Sequence, residues 1–276
     1  MDYRTINRHN WDERASAHAA SRDYAVSSFV SDPSYLSRVV RFDLPLLGDI
    51  SGQRGIHLQC HIATDTLSLA RLGARMTGLD FSLASLAEAR RLVEQTGSDI
   101  ELIEGDVYDA VSLCGSMSFD FVYTGVGALC WLPGIQRWAT VVSELLRPDG
   151  RLFLREGHPV LWAIDETRGD GLLVIDHPYF ETDAPFVGDD AGTYVDTDVV
   201  FRSTETHQWN HGLGEIVTAL LDAGMAITGL IEHQTAPWNA LPGRTERLDD
   251  GEWRLKERPE RLPQTYTLQA IKRRIS

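Results

Sequence analysis

The chain has 276 residues, 43% of them hydrophobic, which is enough for one sizeable core with room for an insertion or lid. With 40 Asp and Glu against 26 Lys and Arg, the formal net charge is -14, which argues against nucleic acid or an anionic membrane surface as a partner. No run approaches the roughly 18 apolar residues of a spanning helix. The opening MDYRTINRHNWDERASAHAA is polar and does not read as a signal peptide, and Cys60, Cys114 and Cys130 form no disulfide framework, so a reduced, cytoplasmic setting is expected.

Residues 4–20 read as a helix with Trp11, Ala15 and His18 on one face, and residues 34–48 as a second, begun near Asp32-Pro33 and stopped by Gly48. From residue 55 strand and helix alternate. IHLQC is a strand, Thr64 to Leu72 a helix, and RMTGLD a strand. Leu83 to Gln95 is an amphipathic helix between an N-capping Ser82 and Gly97. DIELIEGD and FDFVYTG are strands, 134–147 a helix, Pro148-Asp149-Gly150 a turn, and RLFLRE the next strand. This spacing predicts an α/β fold, a Rossmann-like, seven-stranded, mostly parallel sheet with helices on both faces.

The pattern breaks between about 163 and 206, where Asp, Gly, Thr and aromatics surround the short runs LLVIDH and TYVDTDVVF. That stretch reads as a β-rich insertion over the site, because a structureless loop of such length is unusual. A helix at 213–223 and strands at 226–233 and 265–271 complete the pattern. The expected organisation is an N-terminal helical lid (1–50), a nucleotide-binding core (51–162), the insertion (163–206) and the rest of the core (207–276).

Ligands of doubly wound sheets sit beyond the carboxyl ends of the strands. The first turn there is Gln59-Cys60-His61-Ile62-Ala63-Thr64, with no glycine where three are expected. Asp80 ends the second strand at a spacing suited to two ribose hydroxyls, or it caps the helix at Ser82. Asp106 follows the third strand, where a side chain can face an adenine edge or cap its own loop. Gly125 and Gly127 permit close approach after the fourth strand.

These segments resemble class I S-adenosylmethionine (SAM)-dependent methyltransferases. The chain is similar to a bacterial subgroup with the motif HLQCH–x–G–x–DTLS–x–ARLGA followed by VTG–x–DFS. The likeness extends to NRHNWDERASAH, WLPGIQRWATVV, EGHPVLW, QWNHGLGEIVTALLDAGM and LPQTYTLQA. It implies SAM as cofactor. Gln59, Cys60 and His61 would underlie the methionine part, Asp80 would hold the ribose, and Phe81 would flank the adenine. Asp106 and Val107 would recognise the adenine, and Thr124 would lie near the sulfonium. Trp11, Arg14 and Tyr24 would belong to a lid. Ala63 departs from the subgroup's glycine, which puts close backbone approach there in doubt.

Candidate bases are Glu156 and His158 in REGHPVLW and His211 in HQWNHG, with His207 and Trp209 beside it. The competing readings are that His158 bonds the backbone beside Pro159 and that His211 caps the next helix. Aromatic residues in the same regions could cage a sulfonium or pack as core. His57 reads as a satisfied core histidine. His57 with His61, and His61 with Asp65, lack the shared helical face of a metal site, so no metal is expected.

The leading expectation is methyl transfer, to O or N of a small molecule, with S-adenosylhomocysteine (SAH) as product. The alternatives are attack on the cofactor's side-chain carbon with release of methylthioadenosine, or a non-catalytic SAM-binding subunit. A homodimer through the insertion or the N-terminal helices is compatible with the sequence.

Overall fold

The computed structural model describes residues 2–274. The chain opens with α1 (Tyr3–Ala20), α2 (Val26–Ser31) and α3 (Arg38–Leu47). The Asp2 carboxylate caps α1 by accepting from Thr5 N at 3.1 Å, and the Ser37 hydroxyl caps α3 by accepting from Val40 N. The second expected helix therefore starts later than its sequence suggests, because the Asp32 carboxylate holds Ser34 in a turn. The short α2 was not expected.

The core follows as β1 (Arg54–Leu58), α4 (Thr64–Arg71), β2 (Arg75–Asp80), α5 (Leu83–Thr96), β3 (Ile100–Glu104), α6 (Ala110–Cys114), β4 (Phe119–Thr124), α7 (Ile135–Leu145) and β5 (Leu146–Gly157). Ser82 caps α5 and Gly97 ends it in the left-handed region, as expected. β5 begins before the expected Pro148-Asp149-Gly150 turn. Its pairing with β4 shifts register there, and Asp149 takes φ 66°.

The last third contains α8 (Pro159–Trp162), β6 (Phe186–Asp189), β7 (Glu205–Gln208), α9 (Leu213–Asp222), β8 (Met225–His233), β9 (Thr235–Ala236), β10 (Thr245–Arg247), β11 (Trp253–Leu255) and β12 (Thr265–Lys272). The main sheet runs β3-β2-β1-β4-β5-β12-β8, parallel except for β12, which is antiparallel to both neighbours. Helices cover both faces. Ile56, Leu58, Val122, Leu152 and Leu154 face Trp138 and Val142 of α7 and Ile216 of α9. Phe121, Tyr123 and Phe153 face Val40 and Leu47 of α3 and Leu67 of α4.

The insertion pairs β6 with β7, and LLVIDH contributes only the bridge between Ile164 and Ile175. Much of 163–206 is irregular, so the expected β-rich insertion holds for its hairpin rather than for its whole length. The small sheet β10-β11-β9 was not expected. Among the described residues no helix is long and apolar enough to cross a membrane.

Candidate active site

The turn after β1 keeps the backbone of a glycine loop without its glycines. Gln59, His61 and Ala63 take φ of 58°, 50° and 62°. Each such residue costs roughly 1–2 kcal/mol, so the surroundings must hold the turn. Cys60 N donates to Leu79 O at 2.9 Å, His61 N to Asp80 Oδ2 at 2.8 Å, and Ala63 N to Cys60 O at 2.9 Å. The Cys60 thiol packs against Gly78, where an added Cβ would lie 2.9 Å from Sγ. Gln59 Nε2 reaches across to Ala128 O at 3.0 Å.

Asp80 is buried at the end of β2 and also accepts from Ser82 N at 2.8 Å. Burial raises its pKa to about 6 against the pull of these N–H groups. Both sequence readings of Asp80 are thus compatible with its place, since it anchors the turn and the start of α5 together. Phe81 follows it, half-buried. Asp106 Oδ1 accepts from Tyr108 N at 2.8 Å, while Oδ2 lies 3.1 Å from Arg4 Nε of α1. Val107 is buried beside it.

Among the described residues, Gln59 Oε1 and Thr124 Oγ1 are buried without a hydrogen-bond partner at the ends of the adjacent strands β1 and β4. Orphaned buried oxygens are costly. Together with Asp80 they form a polar cradle that fits the amine and ribose of a SAM-type ligand.

Three lid residues were singled out by sequence. Trp11 sits over the turn, its ring centroid 5.0 Å from that of His61 and 5.3 Å from that of Trp131. Tyr24 stacks on His18 at 5.4 Å and bonds the Tyr194 hydroxyl. Arg14 is not brought to the turn. It donates to the carbonyls of Asp190, Gly192 and Ser203, tying α1 to the insertion.

The three candidate bases do not converge on one point. Glu156 accepts from the N–H groups of Gly127, Ala128, Leu129 and Gly157 at 2.5 to 2.9 Å, so it braces the loop after β4. His211 braces the same loop from the other side. Its Nε2 lies 2.9 Å from Leu132 O and 3.1 Å from Leu129 O, and its Nδ1 lies 2.8 Å from Glu181 Oε2. His158 caps α8, accepting from Val160 N at Nδ1 and donating to Glu232 from Nε2 at 2.9 Å. Every ring nitrogen and carboxylate oxygen of the three is engaged by protein.

Sequence reasoning missed His18, Asp12 and Tyr194. His18 Nδ1 lies 2.8 Å from His61 Nε2, and its Nε2 lies 2.7 Å from Thr193 Oγ1. Burial lowers the pKa of His18 to about 3, so both partners of this buried pair are neutral near pH 7, His61 being lowered too. Asp12 accepts from Ser82 Oγ and Ala84 N, seating α1 on the start of α5. The place of His18 on the Trp11 face of the first helix was the available signal.

Residues 56–152 match the methyltransferase domain family model. The matched stretch spans the turn, Asp80, Asp106 and Thr124. The chain is similar to YbaJ of Bacillus subtilis (strain 168), described as an uncharacterized methyltransferase, at 25% identity over 60% of this chain and 63% of that relative's length. A structure from Listeria monocytogenes, described provisionally as a SAM-dependent methyltransferase, superposes with TM-score 0.62 at 18% identity, over 86% of this chain and 97% of its own. A SAM-dependent methyltransferase from Mesorhizobium loti gives TM-score 0.56 at 22% identity, over 82% and 94%. At these identities the structural likeness shows the fold.

Proposed function

We propose that the chain is a SAM-dependent methyltransferase acting on a small molecule, with transfer to O or N and SAH as product. The observation that carries this is the pair of orphaned oxygens, Gln59 Oε1 and Thr124 Oγ1, set beside the buried Asp80 in a methyltransferase domain. Bound SAM would supply an electrophilic methyl carbon, which the acceptor's lone pair takes as the carbon–sulfur bond breaks. The chain's own part is alignment and exclusion of water. Gln59 and Thr124 would hold the amino-acid end, Asp80 the ribose, and Asp106 with Val107 the adenine, once Arg4 gives way.

Glu156 and His211 act in this reading as positioning residues that fix the loop after β4. The helix α1 and the 190–208 segment form one cover. Besides Arg14, Asn7 Oδ1 accepts from His207 N at 2.8 Å, and Glu13 accepts from Arg202 N and Ser203 N at 2.7 Å. Such a cover, and an acidic chain, favour a small enclosed acceptor.

The test is product analysis. Purified protein is incubated with methyl-deuterated SAM and a small-molecule extract, and products are read by mass spectrometry. SAH together with a labelled small molecule is the expected result. Methylthioadenosine without SAH would transfer the chemistry to another carbon of the cofactor.

A further inference from the structure

The hairpin of β6 and β7 has one closed edge and one open edge. Asp190 N donates to Thr204 O at 3.2 Å, so the hydrogen-bonded pairs of the hairpin fall on even-numbered residues. His207 therefore points its backbone groups away from β6. Asn7 of α1 takes both of them, donating to His207 O at 2.9 Å and accepting from His207 N at 2.8 Å. Asn10 Nδ2 lies 2.9 Å from Ser203 O and 3.5 Å from Glu205 O. Asparagines of α1 thus stand where a further strand would, and β7 is closed.

β6 has no such cover. By the same alternation the N–H and C=O of Val187 and Asp189, opposite His207 and Glu205, point outward, and among the described residues nothing hydrogen-bonds them. Apolar side chains flank that edge on both faces. Phe186 is 48% exposed and Val187 is 55% exposed, and alternation sends them to opposite sides. His177 packs beside Phe186 with ring centroids 5.0 Å apart, and Phe180, three residues on, is 66% exposed. A two-stranded ribbon alone is marginal in water. Exposed apolar side chains gathered at an unpaired strand edge mark a place for another chain.

Charge selects the occupant. Residues 163–206 hold eleven Asp and Glu against Arg168 and Arg202, a net charge of -9 out of the chain's -14. Arg168 is already paired with Asp170. Asp183, Asp189 and Asp190 stand at the two ends of β6. A second copy pairing through the same edge would set these carboxylates against one another in either strand direction, which is unfavourable. A cationic segment meets them with opposite charge.

We propose that the open edge of β6 docks a basic, extended segment of a partner protein. The segment adds a third strand to the hairpin, with its apolar side chains beside Phe186 and its cations toward Asp183, Asp189 and Asp190. The contact does not depend on which group accepts a methyl. It acts on the cover, because β7 is joined through Asn7 to α1, whose Trp11 ring centroid lies 5.0 Å from that of His61 in the turn. A docked segment fastens α1 over that turn.

The probe is a capped hexapeptide alternating lysine and valine, titrated into the full chain and followed at the backbone amides by NMR. Two controls share its length. One carries glutamate in place of lysine, and the other is N-methylated throughout, which keeps the charge and removes the strand's donors. Wild type should bind the lysine peptide at least tenfold more tightly than either control, with the largest shifts at residues 185–190. Val187→Pro removes an outward N–H and leaves the ladder to β7 intact, and it should weaken binding at least tenfold. Asp189→Asn combined with Asp190→Asn should weaken binding at least threefold, which decides the matter should the proline unfold the hairpin. No binding, equal binding of either control, or binding indifferent to both variants overturns the proposal. So does a dimer, seen by sedimentation, that Val187→Pro dissociates, because β6 would then serve a second copy. Bound peptide should also slow hydrogen exchange in α1, and unchanged exchange there overturns the coupling to the cover.

Discussion

The His61 backbone N–H donates to Asp80 Oδ2 at 2.8 Å, so the strained turn after β1 is fastened to the acid that ends β2. One carboxylate thereby holds the turn and stands where a ribose would be recognised. Structure and proposed binding are coupled through it, and its titration should be visible in both.

The folded pKa of Asp80, about 6, lies above its ordinary 3.8. The folded state therefore favours the protonated acid, and stability from this group is highest below pH 4 and falls as pH rises through 6. The loss is up to about 3 kcal/mol, taking 1.36 kcal/mol per unit. Asp80→Asn should remove that component from the difference in urea unfolding free energy between pH 4 and pH 7. SAH binding runs the other way, since ribose hydroxyls donate to the ionised form. Affinity should rise from pH 5 to pH 7 in wild type and stay flat in Asp80→Asn.

Ala63 is buried at φ 62° against Cys60, Leu86 and Ala89. Ala63→Gly relieves about 1 kcal/mol of backbone strain and gives up about 0.8 kcal/mol of buried methyl. The variant should unfold in urea within about 1 kcal/mol of wild type. Ala63→Val adds a β-branched side chain to a left-handed residue in a packed site and should cost more than about 2 kcal/mol.

Glu156→Gln separates bracing from base catalysis. A glutamine amide turns a donor toward N–H groups that the carboxylate satisfies. The variant should lose about 2–4 kcal/mol of stability, as buried networks do when one acceptor is removed. A Glu156→Gln protein as stable as wild type would contradict the bracing role.

Arg14→Ala removes the donors that hold the carbonyls of Asp190, Gly192 and Ser203. Hydrogen exchange should quicken at least tenfold in α1 and in residues 190–208, with β1 to β5 unchanged. Uniform quickening across the chain would mean that Arg14 supports the whole fold rather than the cover.

The alternation of strand and helix from Gly55 onward was legible because each element carries its own punctuation, such as Ser82 and Gly97 around α5. The tight turn after β1 was legible from its place between strand and helix, although its glycines are absent. The structure explains this, because tertiary hydrogen bonds from Cys60 and His61 hold the left-handed residues in place. Glu156 looked like a base because its partners are main-chain N–H groups some thirty residues earlier, which carry no sequence signal. His57 read as a satisfied core residue from strand alternation. Its Nδ1 is engaged by Thr66 Oγ1 at 2.9 Å, and the ring is buried. The strands β9 to β11 were missed because each spans only two or three residues, too few for a period.

The central claim is that the cradle of Gln59, Asp80 and Thr124 binds SAM. Calorimetric titration of SAH into the purified chain tests it most directly. One site per chain, weakened at least tenfold by Asp80→Ala in protein that still folds, is the predicted result. No heat of binding, or an affinity indifferent to Asp80, would contradict it.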